Sequence, residues 1–253
     1  MKVISVVNRK GGVAKTATAL TLGAGLKRKG YKVLFIDLDS QGNLTSNLDV
    51  TASQYTVFDI FQRKRKAVEC ITKSNENYVI ASSEALSNID SILHNTIGAE
   101  YRLKEALESL RKNNSFDYAV IDTAPALDIL TINSLTASDS VVIPVQAEVF
   151  SLDGLAKIAE VIASCIKYTN SNLKVNGVLI TRYNSQTILA KAMKAEIEQL
   201  SEQLGFNVYK QPIRECIAVK EAQASNTDLF TYSPNCNASL DYQAFINELL
   251  ESI

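Results

Sequence analysis

The segment Asn8–Thr16 reads NRKGGVAKT, and it decides the fold of this chain. An apolar run, Val3–Val7, precedes it, and a stretch rich in small residues, Thr16–Lys29, follows it. A strand, a glycine loop, a Lys-Thr pair and a helix in this order bind nucleotide phosphates, because backbone N–H groups and the helix N-terminus point at the phosphate oxygens. Lys15 then reaches the β and γ phosphates, and the Thr16 hydroxyl can ligate Mg²⁺. The segment therefore predicts a nucleotide site in an α/β fold.

The glycine loop departs from the strict P-loop pattern. Arg9 and Ala14 stand where that pattern has glycine, and an additional lysine, Lys10, comes five residues before Lys15. The methyl group of Ala14 is tolerated if this residue keeps a negative φ. The residues predicted to contact the nucleotide are Lys10, Gly11, Gly12, Val13, Ala14, Lys15, Thr16 and Ala17.

Two carboxylates follow the next apolar run. Val33–Ile36 is unbroken and of strand length, and Asp37 and Asp39 come directly after it. Unbroken apolar runs are typical of parallel strands buried on both faces, and ligands bind at the carboxyl ends of such strands. The two carboxylates are therefore well placed for a metal ion and a water molecule. A plain polar turn is the alternative, but it does not explain why both motifs share one edge of the sheet.

A third motif ends in a single carboxylate. Phe116–Pro125 reads FDYAVIDTAP, an apolar strand that ends at Asp122. In the Walker B arrangement such a carboxylate holds Mg²⁺ through a water molecule. Many strands end in aspartate, so this motif is informative only in register with the other two. The predicted metal ligands are Thr16, Asp37 and Asp122.

Strands and helices alternate along the rest of the chain, as βαβ units require. We predict one doubly wound α/β domain over residues 1–253, with a mainly parallel sheet flanked by helices. The further strands predicted are Tyr78–Ile80, Ser140–Ala147, Val175–Thr181 and a segment near Asn207–Gln211. The further helices predicted are Val57–Phe61, Tyr101–Lys112, Ser151–Tyr168, Thr187–Leu204 and Leu240–Ile253.

The composition is that of an ordinary globular protein with material for a sizeable core, with 46% apolar and 21% charged residues. A net charge of −1 argues against a generally basic nucleic-acid coat protein, although a local basic patch remains compatible with it. The candidates for such a patch are Arg182, Lys191, Lys194, Lys210, Arg214 and Lys220. Scattered solvated cations are an equally good interpretation of any single one of them.

The cysteines, the histidine and the hydropathy exclude several classes of protein. Cys70, Cys165, Cys216 and Cys236 are far apart in the sequence, so the spacing indicates neither a metal site nor a disulfide framework, and we expect reduced thiols. The single histidine, His94, argues against histidine-based triads and zinc sites. No run reaches the roughly 18–20 apolar residues of a membrane span. The N-terminus runs directly into the glycine loop, so we expect no signal peptide and a cytoplasmic location.

The motifs resemble those of one family. Lys10-Gly-Gly-x-x-Lys15-Thr16 resembles the deviant Walker A loop of the ParA/MinD ATPases, in which the first lysine is the signature residue. Asp37-x-Asp39-x-Gln-Gly-Asn and Asp122-Thr-Ala-Pro resemble further motifs of this family, with Ser40 where the family usually has proline. The resemblance covers essentially the whole chain and is most specific over residues 8–47 and 116–154.

This resemblance implies a partitioning ATPase of the ParA type that uses ATP and Mg²⁺. Two monomers would enclose two ATP molecules, and each Lys10 would cross to the phosphates of its partner. Lys10, Lys15 and Asp39 are then the expected catalytic residues, with Asp39 positioning the attacking water and Thr16 and Asp122 holding the metal. The ATP-bound homodimer would bind non-specific DNA on the nucleoid, and a ParB-like centromere-binding protein would stimulate hydrolysis.

Other classes remain as alternatives. A membrane-positioning ATPase like MinD ends in a basic amphipathic helix, whereas nothing after Lys220 is basic here and Asp241 and Glu248 are acidic. An iron–sulfur carrier of the same superfamily needs cysteines beside the motifs, and none flank them. A small-molecule ATP-dependent ligase or kinase stays possible, and an assay of DNA-stimulated ATPase activity separates it from a partitioning ATPase.

Overall fold

The computed structural model describes residues 1–50 and 53–252. Its strands are β1 (Lys2–Val6), β2 (Val33–Leu38), β3 (Ile71–Ser74), β4 (Asn77–Ile80), β5 (Tyr118–Thr123), β6 (Ser140–Gln146) and β7 (Lys174–Thr181). Its α-helices are α1 (Lys15–Arg28), α2 (Asn43–Asn47), α3 (Val57–Phe61), α4 (Ile89–Leu93), α5 (Arg102–Lys112), α6 (Ile129–Ala137), α7 (Ser151–Tyr168), α8 (Ile188–Gln203), α9 (Ile217–Ala224), α10 (Leu229–Tyr232) and α11 (Asn237–Ser252).

The strands form one seven-stranded sheet in the order β3-β4-β2-β5-β1-β6-β7. All neighbouring strands are parallel except β3, which pairs antiparallel with β4. The order of the parallel strands reverses around β1, so helices cover both faces of the sheet. The predicted doubly wound α/β fold is confirmed.

Alternating side chains of each central strand enter opposite cores. Val33 and Phe35 of β2 pack with α1 and α11, whereas Leu34 and Ile36 pack on the other face with α3 and α5. A third apolar cluster joins β6 and β7 to α7 and α8. Burial on both faces explains why these strands are unbroken apolar runs.

Helix α1 approaches the sheet closely because it lacks a side chain at Gly23. A β-carbon at Gly23 would lie 2.1 Å from a ring atom of Phe35 on β2. Gly25 makes a similar approach to α11, where a β-carbon would lie 2.3 Å from Ile246. These two glycines bring the helix that follows the glycine loop against both β2 and α11.

The structure corrects three details of the sequence interpretation. The predicted strand near Asn207–Gln211 is wrong: Val208 makes only an isolated bridge to Val178, and Pro212, which follows, has no N–H with which to extend the ladder. The antiparallel strand β3 was not predicted, and α11 begins three residues before Leu240.

The spacing of Leu189, Met193, Ile197, Leu200 and Leu204 predicts one apolar stripe along α8, and the structure differs from this prediction at its first residue. Met193 and Ile197 are buried as predicted, whereas Leu189 is 57% exposed and Ala190, one residue further along the helix, is buried in its place. A shift of one residue rotates a side chain by about 100° around the helix axis.

Candidate nucleotide site

The three predicted motifs meet at the carboxyl edge of the sheet. Asp122 pairs in register with Val6 on one side and with Asp37 on the other, so the two carboxylates are neighbours beside the loop that follows β1. A cavity of about 670 Å³ opens over this edge. Gly11, Gly12, Lys15, Thr16 and Asp39 are among the residues that line it.

The loop is held in an unusual backbone conformation. Gly12 has a φ of +78°, and Ala14 has a φ of +64° and directly precedes α1. The condition under which the Ala14 methyl group is tolerated, a negative φ, is therefore not met, and its β-carbon is strained in this left-handed region. The neighbouring Val13 is buried, and its carbonyl accepts a hydrogen bond of 3.1 Å from the Thr181 hydroxyl at the end of β7.

The two lysines of the loop point in different directions. The Lys15 ammonium donates a 3.0 Å hydrogen bond to the carbonyl oxygen of Lys10, and the residue is 7% exposed. Burial lowers the pKa of Lys15, while the charges of Asp122 and Asp39 act to raise it. Lys10 turns outward, and its ammonium lies 2.6 Å from the carboxylate of Glu148, in the turn after β6. Sequence reasoning did not identify Glu148 as the partner of Lys10.

The Asp37 carboxylate is held by the turn that follows β2. One oxygen accepts from the Asp39 N–H at 3.0 Å, and the other accepts from the Thr45 N–H and hydroxyl at 2.9 and 2.7 Å. Burial raises the pKa of Asp37 to about 6, against the effect of these hydrogen bonds. The same turn orders Asp39, whose carboxylate accepts from the Gln41 N–H at 3.0 Å.

The Asp122 carboxylate lacks such support. It is completely buried, and within the described residues neither of its oxygens meets a partner in full hydrogen-bond geometry. Burial, together with the charge of Asp37, raises the pKa of Asp122 to about 8, and the nearby Thr16 hydroxyl and Lys15 ammonium offset part of this shift. A buried, unsatisfied carboxylate is costly unless a cation or a donor meets it.

A carboxylate beside a hydroxyl fits a hard divalent cation. Mg²⁺ is usually bound by one or two carboxylates, water and substrate phosphates rather than by an all-protein cage. Among the described residues, no group of three or more His, Cys, Asp or Glu side chains could hold a metal ion. Thr16, Asp122 and Asp37 are thus brought together in a set that suits Mg²⁺ with a bound phosphate.

Comparison with known proteins identifies the family. The model of a family described as AAA domain matches residues 1–175. The sporulation initiation inhibitor protein Soj of Bacillus subtilis is 36% identical over 252 residues, which cover 98% of each chain. The chromosome partitioning protein ParA of Caulobacter vibrioides is 32% identical over 254 residues, covering 99% of this chain and 94% of the relative. The chain belongs to the ParA/Soj branch of the ParA/MinD family.

A solved relative extends this result to three dimensions. Cobyrinic acid a,c-diamide synthase from Mycobacterium smegmatis, solved with a bound ATP analog and magnesium, superposes with a TM-score of 0.86 at 28% identity. The superposition covers 99% of this chain and 95% of that one.

The six candidate DNA-binding cations of this ParA/Soj protein fall into two groups. Arg182 forms an ion pair of 3.0 Å with Glu215, Lys194 pairs with Glu198, and Arg214 pairs with Asp241 at 2.7 Å. Lys191, Lys210 and Lys220 are exposed. Within residues 1–50 and 53–252, these three lysines have no carboxylate within ion-pair distance.

Two of the paired cations belong to the surroundings of the cavity. Arg182 and Arg214 both line it, as does Lys220. Asp241, which the sequence interpretation placed in an acidic C-terminal tail, is 2% exposed, and its carboxylate accepts a hydrogen bond from the Arg214 side chain.

None of the described helices has both the length and the apolar character needed to cross a bilayer.

Proposed function

We propose that this ParA/Soj-family protein is a DNA-partitioning ATPase that binds ATP and Mg²⁺ and acts as one domain. In this proposal the ATP-bound homodimer binds non-specific DNA on the nucleoid, and a ParB-like centromere-binding protein stimulates hydrolysis. The observation that carries it is the buried, unsupported Asp122 beside Lys15 and Thr16 at the end of the glycine loop. The names of the relatives Soj and ParA support the partitioning role.

Each group of the site has a defined task in this proposal. The N–H groups from Gly11 to Ala17 bind the phosphates, and Thr16 and Asp122 would hold Mg²⁺, with Asp37 in support. When bound, Mg²⁺ supplies positive charge to the phosphate oxygens. Asp122 would have to be ionised to hold the cation, because a metal ligand must be deprotonated.

Hydrolysis is assigned to Asp39 and Lys15. The Asp39 side chain is fixed by Gln41 at the wall of the cavity, where it orients the attacking water. Lys15 stabilises the negative charge that develops on the transferred phosphoryl group.

Dimerisation is assigned to Lys10. Its ammonium group is paired with Glu148, and 27% of the side chain is exposed, so a rotation about its flexible stem frees it to reach a second molecule. A second ammonium placed against the same phosphates as Lys15 would be repelled by it. A position across the dimer interface relieves this repulsion and makes dimerisation depend on the γ-phosphate.

Two variants with opposite defects test the proposal. With a slowly hydrolysed ATP analogue, Lys10→Ala should bind nucleotide but remain monomeric in light scattering and fail to bind DNA. Asp39→Ala should dimerise and bind DNA, but it should not turn over ATP. Arg9→Ala is the matched control, since it removes a neighbouring exposed cation that contacts Asp153 at 3.9 Å. Dimerisation of Lys10→Ala at the parent level would refute the enclosed-ATP mechanism.

A second candidate function, an ATP-dependent ligase, is supported by the likeness to the diamide synthase. Part of the cavity, beside Arg182 and Glu215, would hold the second substrate. Stimulation of ATP turnover by DNA favours the partitioning ATPase, whereas stimulation by a small carboxylic acid and an amide donor favours the ligase.

A further inference from the structure

Two cysteines that precede neighbouring helices belong to segments that are distant in sequence, and one of them lies in the wall of the cavity. Cys216 immediately precedes α9 and lines the cavity, and Cys236 immediately precedes α11. Both are free thiols, partly buried against the same apolar cluster around α1 and α11. The other two cysteines, Cys70 and Cys165, are buried elsewhere.

The Cys236 sulfur has several hydrogen-bonding neighbours, and the Cys216 thiol is one of them. The Cys236 sulfur accepts from the Ser239 N–H at 3.4 Å and lies 3.3 Å from the Ser239 hydroxyl. Burial opposes ionisation of Cys236, but hydrogen bonds from Ser239, from the Cys216 thiol and from Ser233 together lower its pKa. A thiol with a lowered pKa that is within reach of a second thiol is the usual arrangement at oxidation-sensitive sites.

A salt bridge clamps the two segments together. Asp241, in the first turns of α11, accepts from the Arg214 side chain at 2.8 and 2.7 Å and from the Arg214 N–H at 3.0 Å. Gln211 donates to the same carboxylate at 2.9 Å. Because Arg214 and Asp241 are close in sequence to Cys216 and Cys236, the clamp keeps the thiols near each other.

We propose that Cys216 and Cys236 form a reversible disulfide on reaction with a hydroperoxide, and that nucleotide in the cavity limits this reaction. The Cys236 thiolate attacks the O–O bond, releases hydroxide and becomes a sulfenic acid. The Cys216 thiol then displaces water from that sulfur, so the pair loses two electrons to the peroxide oxygen. A small dithiol reverses the reaction by thiol–disulfide exchange. The bond would join the cavity wall at residues 213–216 to α11.

Peptide mass spectrometry tests the crosslink. The protein is treated with hydrogen peroxide, blocked with an alkylating reagent and digested. We expect two of the four free thiols to disappear, a Cys216–Cys236 crosslinked peptide to form, and dithiothreitol to restore both thiols. Cys216→Ser and Cys236→Ala should each abolish the crosslink, whereas a Cys70→Ser, Cys165→Ser double variant should keep it. Oxidation of the parent protein without this peptide would overturn the proposal.

A second arm tests the control by nucleotide. MgADP should lower the initial rate of crosslinking, because Cys216 lies in the cavity wall. Equal crosslinking rates with and without MgADP, in a sample that demonstrably binds MgADP, would overturn the proposed effect of nucleotide. Only this arm depends on the proposed nucleotide site. Failure of MgADP to bind would count against the proposed function, and the crosslink itself would be unaffected.

Discussion

The side chain of Ala14 is in steric conflict with the left-handed conformation of its backbone. A left-handed φ of +64° costs an alanine roughly 1–2 kcal/mol relative to glycine, while glycine loses roughly 0.5–1 kcal/mol more conformational freedom on folding. Ala14→Gly should therefore raise the free energy of unfolding by about 0.5–1 kcal/mol in urea titrations. The same change at Ala24, inside α1, should lower it by about 1 kcal/mol. A decrease in stability at both positions would argue against strain at Ala14.

The buried Asp122 should make stability depend on pH. Its pKa is raised from 3.8 to about 8 by burial, so the folded state binds this proton more tightly than the unfolded chain. The resulting stabilisation is complete below about pH 4 and disappears as the pH rises through about 8. Asp122→Asn removes the titration.

Urea midpoints without Mg²⁺ measure this effect of Asp122. We expect the stability of Asp122→Asn relative to the parent protein to increase between pH 5 and about pH 8 and to level off above it. A relative gain by the parent over this range would contradict the assignment of burial as the cause.

Residue identities at the site could be predicted, but several of their contacts could not. Asp39 directly follows β2, Asp122 is the last residue but one of β5, which ends at Thr123, and Lys15 begins α1 after the loop that follows β1. Parallel strands bring such positions to one edge whatever the details of packing. The pairing of Lys10 with Glu148 joins residues separated by 138 positions, and that of Arg214 with Asp241 joins residues separated by 27. These contacts depend on how loops are placed in space, which no local spacing encodes. The sign of φ at Ala14 likewise depends on the whole loop.

At the scale of elements, the attachment of α11 depends on a partly buried ion pair. Arg214→Ala leaves the Asp241 carboxylate buried with fewer donors, and we expect the unfolding free energy to fall by about 2–3 kcal/mol. The matched control is Lys194→Ala, which breaks an exposed pair within α8 and should cost at most about 0.5 kcal/mol.

A double-mutant cycle separates this ion pair from other effects of the substitution. With Asp241→Asn as the second change, the coupling energy should be about 1 kcal/mol or more. Additive effects of the two substitutions would mean that Arg214 acts through packing alone.

The type and bounds of an element could be predicted where its side chains are buried, and its buried face was harder to predict where the element is half exposed. The strand β2 and the helix α3 could be predicted from the sequence, because the spacing of their apolar residues and their length each fit a single type of element. The predicted stripe of α8 began at Leu189 because two neighbouring residues, Leu189 and Ala190, are both apolar. Only the direction of the helix relative to β7 decides which of them is buried.

For the whole molecule, the net charge of −1 requires DNA binding to come from a local group of cations. Among the six candidate cations, the best are the three exposed lysines that have no ion pair within the described ranges, Lys191, Lys210 and Lys220. Replacing all three by alanine should weaken binding of the ATP-bound form. The log–log salt slope should become shallower by up to about 0.9 for each phosphate that the variant no longer neutralises.

Fluorescence anisotropy over a salt series measures this slope. Lys194→Ala is the control, because Glu198 already neutralises that lysine. An unchanged slope in the triple variant would exclude these lysines from DNA binding.

The close approach of Gly23 to Phe35 fixes the distance between α1 and β2, the two elements that carry the site. Helix α1 begins at Lys15, and β2 carries Asp37 two positions beyond Phe35, so this one contact in the core sets the separation between phosphate loop and carboxylate. Gly23 lies roughly two helical turns from Lys15. An added methyl group at Gly23 would push α1 away from β2 and so move the two halves of the site apart, although no functional side chain would be replaced. A genetic screen for inactive variants would therefore recover substitutions here that look like failures of catalysis but are errors of alignment.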